Sequence, residues 1–557
     1  MQQATLAFVN GAVSTVDAAR SRASAVAVRD GRIVAVGDDA EVRDLVGPRT
    51  EVVDLAGRML LPGFQDAHCH PPPGGLEMLQ CNLSDAHTRP RYEELIAAYT
   101  AGNPTRPWIQ GGGWNMSAFP RGAPEKGILD ALVPDRPVAL YSRDGHSLWV
   151  NSRALELAGV DASTPDPADG RIERDADGSP AGTLHEGACD VIEVLTPAPT
   201  TEEQLEGLRV AQAYLHSLGI TAWQDAIVGG HYDTYDLYRS FADSGELTAR
   251  VVGALWWDRH RGAEQIEDFE TRRADGTVGR FRATSVKIMQ DGIVENFTAG
   301  MLEPYLDAEG RPSNGSGLSQ VDPEALKGFV TELDAKGFQV HFHTIGDRAV
   351  REALDAIEAA RTRNGPSDNR HHLAHIQIVH PDDVPRFRGL DVVANGQPLW
   401  ACLESQMVDL TIPFLGPERA SWQYPFGSLV RSGAVLAFGS DWSVSSPDPM
   451  EEMHVAVNRS VRSDDLTYTG GDRRAVDKVF LPDERIDLET AIAAFTIGSA
   501  FVNHLDDVTG SIEVGKLADL TIVDRDLFAH PMEEIALARV DATYVEGANV
   551  YRRDGAV

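Results

Sequence analysis

Two histidines one residue apart, His68 and His70, close the stretch LPGFQDAHCH. On an extended backbone, residues i and i+2 point to one face. Both imidazoles can therefore aim at one point, with Cys69 turned away, and two convergent nitrogens make half of a metal site. The plainer reading is a pair of solvent-facing loop histidines, so ligands elsewhere must decide. Lys287 lies in the otherwise apolar run SVKIMQDG, where a buried ammonium is costly. Carboxylation by carbon dioxide would convert it to a carbamate able to bridge two cations; a lysine that snorkels to solvent is the alternative. QVHFHTIGD carries His341 and His343 on one face. His343, nearer the end of the run, is the preferred ligand, and His341 sits one layer deeper as a supporting or core histidine. HHLAHIQIVH offers His371, His372, His375 and His380, of which His375 best fits a strand end. Asp441 follows the small-residue turn of VLAFGSDW, where a carboxylate could bind metal and accept a proton from water. The assembled set is His68, His70, Lys287, His343, His375 and Asp441. Nitrogen and carboxylate donors suit zinc, and also iron, nickel or manganese.

Such a set works only if a scaffold brings it together. ITAWQDA, RVVGALWW, SVKIMQDG, QVHFHTIGD, HHLAHIQIV, DVVANGQP and VLAFGSDW are short β-rich runs. Helical patterns such as PEALKGFVTELDAKG and DRAVREALDAIEAART separate many of them. With the strand that ends at His68 the count reaches eight. The expected fold class is α/β, a (β/α)₈ TIM-like barrel over residues 59–505, whose active site lies at the C-terminal strand ends. Residues 1–58 read as short antiparallel strands with Asn10-Gly11 and Asp30-Gly31 turns. GSIEVGKLADLTIVDRD and ATYVEGANVYRRDGAV, within residues 506–557, repeat that character. Neither end is large enough to bury a sheet alone, so the two are expected to pair into one small β-sandwich. Residues of about 73–205, rich in Gly and Pro turns, form an insertion after the first barrel strand, expected as a lid or substrate subdomain over the barrel mouth.

Composition excludes several functions. The chain has 557 residues, 42% hydrophobic and 24% charged, with 50 basic against 84 acidic residues and a net charge of −34. No basic surplus exists to neutralise phosphates or anionic membrane surfaces, so neither nucleic acid nor membrane is an expected partner. Four scattered cysteines suit a reduced setting rather than a disulfide framework or a Cys-type zinc motif. The opening MQQATLAFVNGAVSTVD does not read as a signal peptide, and no run approaches membrane-spanning length. A cytoplasmic location and a small-molecule substrate are expected, with homodimerisation left open.

The motifs LPGFQDAHCH, VKIMQDG, VHFHTIGDRAV, LAHIQ, FGSDWSV and SIEVGKLADLTIVD together resemble the amidohydrolase superfamily of metal-dependent hydrolases over nearly the full length. GGGWN, DGHSLWVNSRAL and HTIGDRAV resemble more narrowly the amidohydrolase-3 branch, which includes N-substituted formamide deformylases. The resemblance implies a mononuclear or binuclear centre on a (β/α)₈ barrel. His68 and His70 would bind one metal with Asp441, His343 and His375 the second, and Lys287, if carboxylated to N6-carboxylysine, would bridge them. In one loop the chain departs from that pattern. After Asp291-Gly292 many relatives continue with small residues, whereas here IVENFTAG supplies Glu295, Asn296 and Phe297, expected to face substrate.

The implied activity is hydrolysis of a non-peptide carbon–nitrogen bond in a small amide, N-formyl or N-acyl compound, with Asp441 as proton shuttle. Deamination of a heterocycle on the same scaffold is an alternative; deaminases of the superfamily commonly use one metal without a lysine bridge. Ester or lactone hydrolysis is another alternative, and a non-catalytic metal-binding protein is disfavoured by the full ligand set. His146, in DGHSLW, is a candidate oxyanion donor or substrate ligand against a structural loop role. Trp114, in GGGWN, is a candidate cover for the substrate against simple packing. Gln397, in NGQP, is a candidate hydrogen-bond partner of substrate.

Overall fold

The computed structural model describes residues 3–84, 86–230, 234–462 and 473–555. Eight parallel strands form its centre: β1 (Phe64–Cys69), β2 (Ile220–Val228), β3 (Arg250–Trp256), β4 (Phe281–Met289), β5 (Gln339–Thr344), β6 (His372–His375), β7 (Val393–Gly396) and β8 (Leu436–Phe438). Each pairs with the next in order, from β1 through to β8. All eight strands expected from the sequence are present, and the fold is the expected TIM-like barrel with further β-sheets attached. The strands are buried almost throughout, because helices cover a parallel sheet from outside and side chains fill it from within.

The outer helices show why the intervening sequences coil. Thr200 caps helix Thr201–Ser217 in a reciprocal box with Glu203. Asp322 caps helix Pro323–Ala335, which begins with proline at its first position. Helix Asp347–Asn364 buries Val350, Ala353, Leu354 and Ile357, a helical stripe turned to the barrel.

No backbone ladder joins β1 to β8. Side chains bridge that seam instead. Asp66 of β1 accepts hydrogen bonds from the Ser440 amide (3.1 Å) and hydroxyl (2.5 Å), just beyond β8. The Asp441 amide donates to the His68 carbonyl at 2.7 Å, and Asn395 Nδ2 of β7 donates to the Ala67 carbonyl at 3.0 Å. The approach is so close that a Cβ at Gly439 would collide with the His68 backbone. This seam is what carries Asp441 to the paired histidines, although His70 and Asp441 are 371 positions apart in the chain.

The chain ends form two further sheets. One contains Arg32–Gly37, Ala25–Arg29, Leu6–Val9 and Glu51–Asp54; the other joins Ala548–Arg552, Val540–Val545, Leu520–Val523, Met59–Pro62, Ala12–Ser14 and Arg22–Ala23. N- and C-terminal segments thus share a sheet, with Leu6, Phe8, Val26, Leu60, Ile522 and Tyr544 in the core between the two. The apolar run Met59–Pro62 belongs here, paired with Leu520–Val523 and Ala12–Ser14, although a boundary at 59 assigns it to the barrel. The first barrel strand begins only at Phe64.

Between β1 and β2, six strands from Cys81 to Glu186 form a separate mixed sheet. Its apolar core merges Trp114, Phe119 and Trp149 with Ile293, Val294, Tyr305, Ile345 and Ile378, which follow β4, β5 and β6. The insertion therefore packs on the loops at the C-terminal ends of the barrel strands.

Candidate metal and active site

The carboxyl ends of the strands converge on a buried cluster of imidazoles. At the end of β1, His68 Nε2 and His70 Nε2 lie 3.2 Å and 2.8 Å from the same Asp441 oxygen, Oδ1. Among the described residues these three form the cluster in which one donor atom from each lies within 4.8 Å of the others. The second group stands on the neighbouring strand ends. His343 and His375 have ring centroids 4.5 Å apart, and His68 and His375 4.7 Å apart. His375 Nδ1 is buried without a hydrogen-bond partner, 3.9 Å from Asp441 Oδ2. A buried donor left over in this way fits a metal ligand. Lys287, 2% exposed, is paired in register with His341.

The electrostatics suit cation binding. Burial lowers His68, His341, His343 and His375 well below the usual histidine range, and the neighbouring Lys287 charge adds to the effect. Neutral imidazole is the form that ligates. Burial also lowers the Lys287 amine to about 7, against the opposing pull of Asp441.

Outer residues fix the ring orientations. His341 Nε2 meets His68 Nδ1 at 2.7 Å, so His341 holds the His68 ring from one layer below. Asp291 takes His343 Nδ1 at 3.1 Å and accepts the amides of Gly300, Ile345 and Gly346. The His375 ring stacks on Trp400, with centroids 5.4 Å apart and planes at 6°. His371 lies at the opposite end of β6, bonded to Asp334 at 3.0 Å, and His380 is half-buried against Trp422; neither reaches the cluster. Asp441 (φ +57) and His375 (φ +75) both sit in the left-handed region. Such strain in non-glycine residues persists where the surroundings over-determine it.

The insertion reaches this cluster through His146. Its ring centroid lies 5.4 Å from that of His343, and its Nδ1 lies 3.0 Å from Glu186 Oε1. Burial alone would lower the His146 imidazolium, but the Glu186 charge and hydrogen bond outweigh it and hold the group up at about 9. A cleft adjoins the cluster, lined in part by Arg143, Glu295, Gln377, Trp400 and Glu404. Glu295 thus lines this cleft, and its carboxylate accepts from Thr411 Oγ1 at 2.6 Å. Burial raises the Glu295 carboxyl and pushes Glu404 up to about 7.

Two expected substrate contacts are corrected. Trp114 is fully buried in the insertion core, edge-on to Phe119 and Trp149, with its indole N–H donated to the Leu140 carbonyl at 2.8 Å. Its neighbour Asn115 lines the cleft instead. The three glycines of GGGWN lie in strand Ile109–Trp114, between Val138–Ser142 and Cys81–Asn82, with a register shift between Gly112 and Trp114. Gln397 is also fully buried: its Oε1 accepts the His375 amide at 2.8 Å and its Nε2 donates to Asn395 at 3.3 Å. It holds the end of β6 and has no free face for substrate. Replacing Trp114 with Phe should lower stability by about 1–3 kcal/mol, since the Leu140 carbonyl loses its buried donor, and leave KM unchanged. Thermal melts and initial rates check this; a raised KM with an unchanged Tm would return Trp114 to the substrate site.

Asp291, Trp400, Glu404 and Glu186 escaped the sequence reading. Asp291 stands in a motif already singled out, VKIMQDG, and could have been flagged as a partner for a strand-end histidine. The other three carry no spacing signal.

Known proteins place this arrangement. Protein LONG AFTER FAR-RED 3 of Arabidopsis thaliana is 31% identical over 98% of this chain and 92% of its own. N-substituted formamide deformylase of Arthrobacter pascens is 28% identical, with 100% and 99% covered. A crystal structure of a metal-dependent hydrolase from Pyrococcus furiosus superposes with a TM-score of 0.69 at 25% identity, covering 94% of this chain and 99% of that one. The sequence model of the amidohydrolase family matches residues 51–551. With its histidine–aspartate cluster at the mouth of a TIM-like barrel, the chain belongs to the amidohydrolase family of metal-dependent hydrolases.

Proposed function

We propose that this enzyme hydrolyses a carbon–nitrogen bond of a small N-formyl or N-acyl amide, with N-substituted formamides as the leading class. The observation that carries the reading is Asp441 Oδ1 at 2.8 Å and 3.2 Å from the two histidine nitrogens, beside a cleft. Full-length similarity to a formamide deformylase supports the choice of amide.

His68, His70 and Asp441 would hold one divalent ion and His343 and His375 a second, zinc being the best match to the donors. When bound, such ions polarise the carbonyl and acidify the attacking water. The chain's own residues do the rest. Asp441 accepts the proton of the attacking water and returns it to the leaving nitrogen. His146, aimed over His343, donates a hydrogen bond to the carbonyl oxygen as charge develops there. The insertion excludes bulk water from the cluster. Lys287 is the candidate bridge: a buried amine held near neutrality is the nucleophilic form that captures carbon dioxide. Glu295 and Glu404 select among amides by what they meet in the cleft.

A panel of N-substituted formamides, N-acyl amines, cyclic amides, heterocyclic amines and matched esters, offered to zinc- and manganese-loaded protein, tests this. The expected result is formate or carboxylate released with an equal amount of amine. Ammonia released from the heterocycles, with the amides untouched, would replace the reading with deamination.

A further inference from the structure

Glu186 belongs to no ligand set. It ends strand Pro180–Glu186 of the insertion, beside the turn that holds His146; its amide donates to the His146 carbonyl at 3.0 Å. Its side chain is 6% exposed. A single oxygen, Oε1, receives His146 Nδ1 at 3.0 Å, Asn296 Nδ2 at 3.1 Å and Thr298 Oγ1 at 2.8 Å. Two of these donors come from the loop after β4, where this chain departs from the pattern it resembles. The backbone at Glu186 is left-handed, φ +51, an uncommon state for a glutamate. Gly292 makes the approach possible: a Cβ there would strike both Glu186 Oε1 and Thr298 Oγ1. A strained backbone, a cleared approach and three donors on one oxygen all serve to place this carboxylate.

What that placement controls is the His146 ring. A carboxylate can only accept, so Nδ1 of His146 is the donor and Nε2 is left for another partner. Among the described residues Nε2 has none, and the ring lies 5.4 Å from His343, tilted by 49°. The turn itself is held independently, since the His146 amide donates to Asp144 at 3.0 Å. Ring orientation thus depends on the Glu186 side chain, while the His146 backbone is held by the Asp144 carboxylate and the Glu186 amide, which side-chain substitution leaves in place. We propose that Glu186 is the positioning residue of the reaction: it sets His146 so that Nε2 meets the substrate, and through Asn296 and Thr298 it ties that histidine to the loop after β4. This rests on the hydrolase reading above, which the Asp441→Asn variant tests separately.

The test compares Glu186→Gln, Gly292→Ala and His146→Asn, singly and combined, on the best formamide of the panel. Gly292→Ala keeps the carboxylate but pushes it away, so the inference survives misfolding of either variant alone. Each should lower kcat about 10–100-fold, the scale on which loss of an outer hydrogen-bond partner acts at a metal-site histidine. KM, metal content and Tm should stay close to the parent. In a His146→Asn background, Glu186→Gln should cost less than threefold more, because residues that act through one another are not additive. Parent kcat in Glu186→Gln, or losses that multiply in the double variant, would overturn the inference. A readout that needs no turnover is the ¹H–¹⁵N spectrum of the imidazoles. A low-field Nδ1 proton should vanish in both Glu186→Gln and His146→Asn; a spectrum unchanged by Glu186→Gln would equally overturn it.

Discussion

Asp441→Asn should yield a folded protein that retains metal yet turns over substrate at least about 10³-fold more slowly, within the range attributed to general acid–base groups. The fold should survive for a specific reason. Asp441 sits at φ +57, and asparagine tolerates that left-handed backbone. The seam contacts around it, the Asp441 amide to the His68 carbonyl and Ser440 to Asp66, use no Asp441 side-chain atom. The amide oxygen can still face His68 and His70, so metal binding should weaken without being lost. What disappears is a carboxylate able to take a proton from water and deliver it to the leaving nitrogen. Rates measured at matched metal occupancy, with circular dichroism as the check on folding, decide the matter. Undiminished hydrolysis would remove Asp441 from proton transfer and with it the mechanism proposed for this site.

Lys287→Met should have the second large effect, and its signature differs. The side chain is 2% exposed and lies in register with His341 inside the barrel. Methionine fills similar volume and removes an amine that burial disfavours as a charge. The variant should therefore melt no lower than the parent. If Lys287 bridges two ions as a carbamate, the same substitution should reduce bound zinc from two equivalents to one or fewer and cut kcat by at least about 100-fold. Elemental analysis of protein loaded in bicarbonate, with a ¹³C-carbamate resonance sought in the parent, separates the cases. Two equivalents of zinc in Lys287→Met, together with parent activity, would leave the lysine a buried core residue and favour ligands that bind without it.

The barrel was legible because its signal is local. β-Branched and apolar runs, each followed by an amphipathic helix, repeat along the chain, and a parallel sheet demands that order. The ligand candidates were legible for a related reason. A histidine, lysine or aspartate at the end of such a run stands out against apolar neighbours, and strand alternation assigns its face. Alternation puts His341 and His343 on one face, and the structure sets His343 beside His375 and His341 beneath His68. That logic failed in the insertion and the loops. Trp114 and Gln397 occupy positions that look exposed on a strand end or a glycine-rich turn. Both are consumed by internal hydrogen bonds, to Leu140 and to His375, that link segments with no pattern in common.

By itself, then, the sequence determined which residues could ligate a cation and that eight strand ends would carry them, since residue type and two-residue alternation are properties of a short segment. Tertiary structure alone decided the rest. It closed β1 against β8 through Asp66 and Ser440, which brings Asp441 to His68 and His70. It also lowered the insertion onto the barrel mouth, so that Glu186 reaches His146 on one side and the loop after β4 on the other. Those contacts depend on how sheets close and stack, a long-range packing outcome that no short stretch of residues encodes.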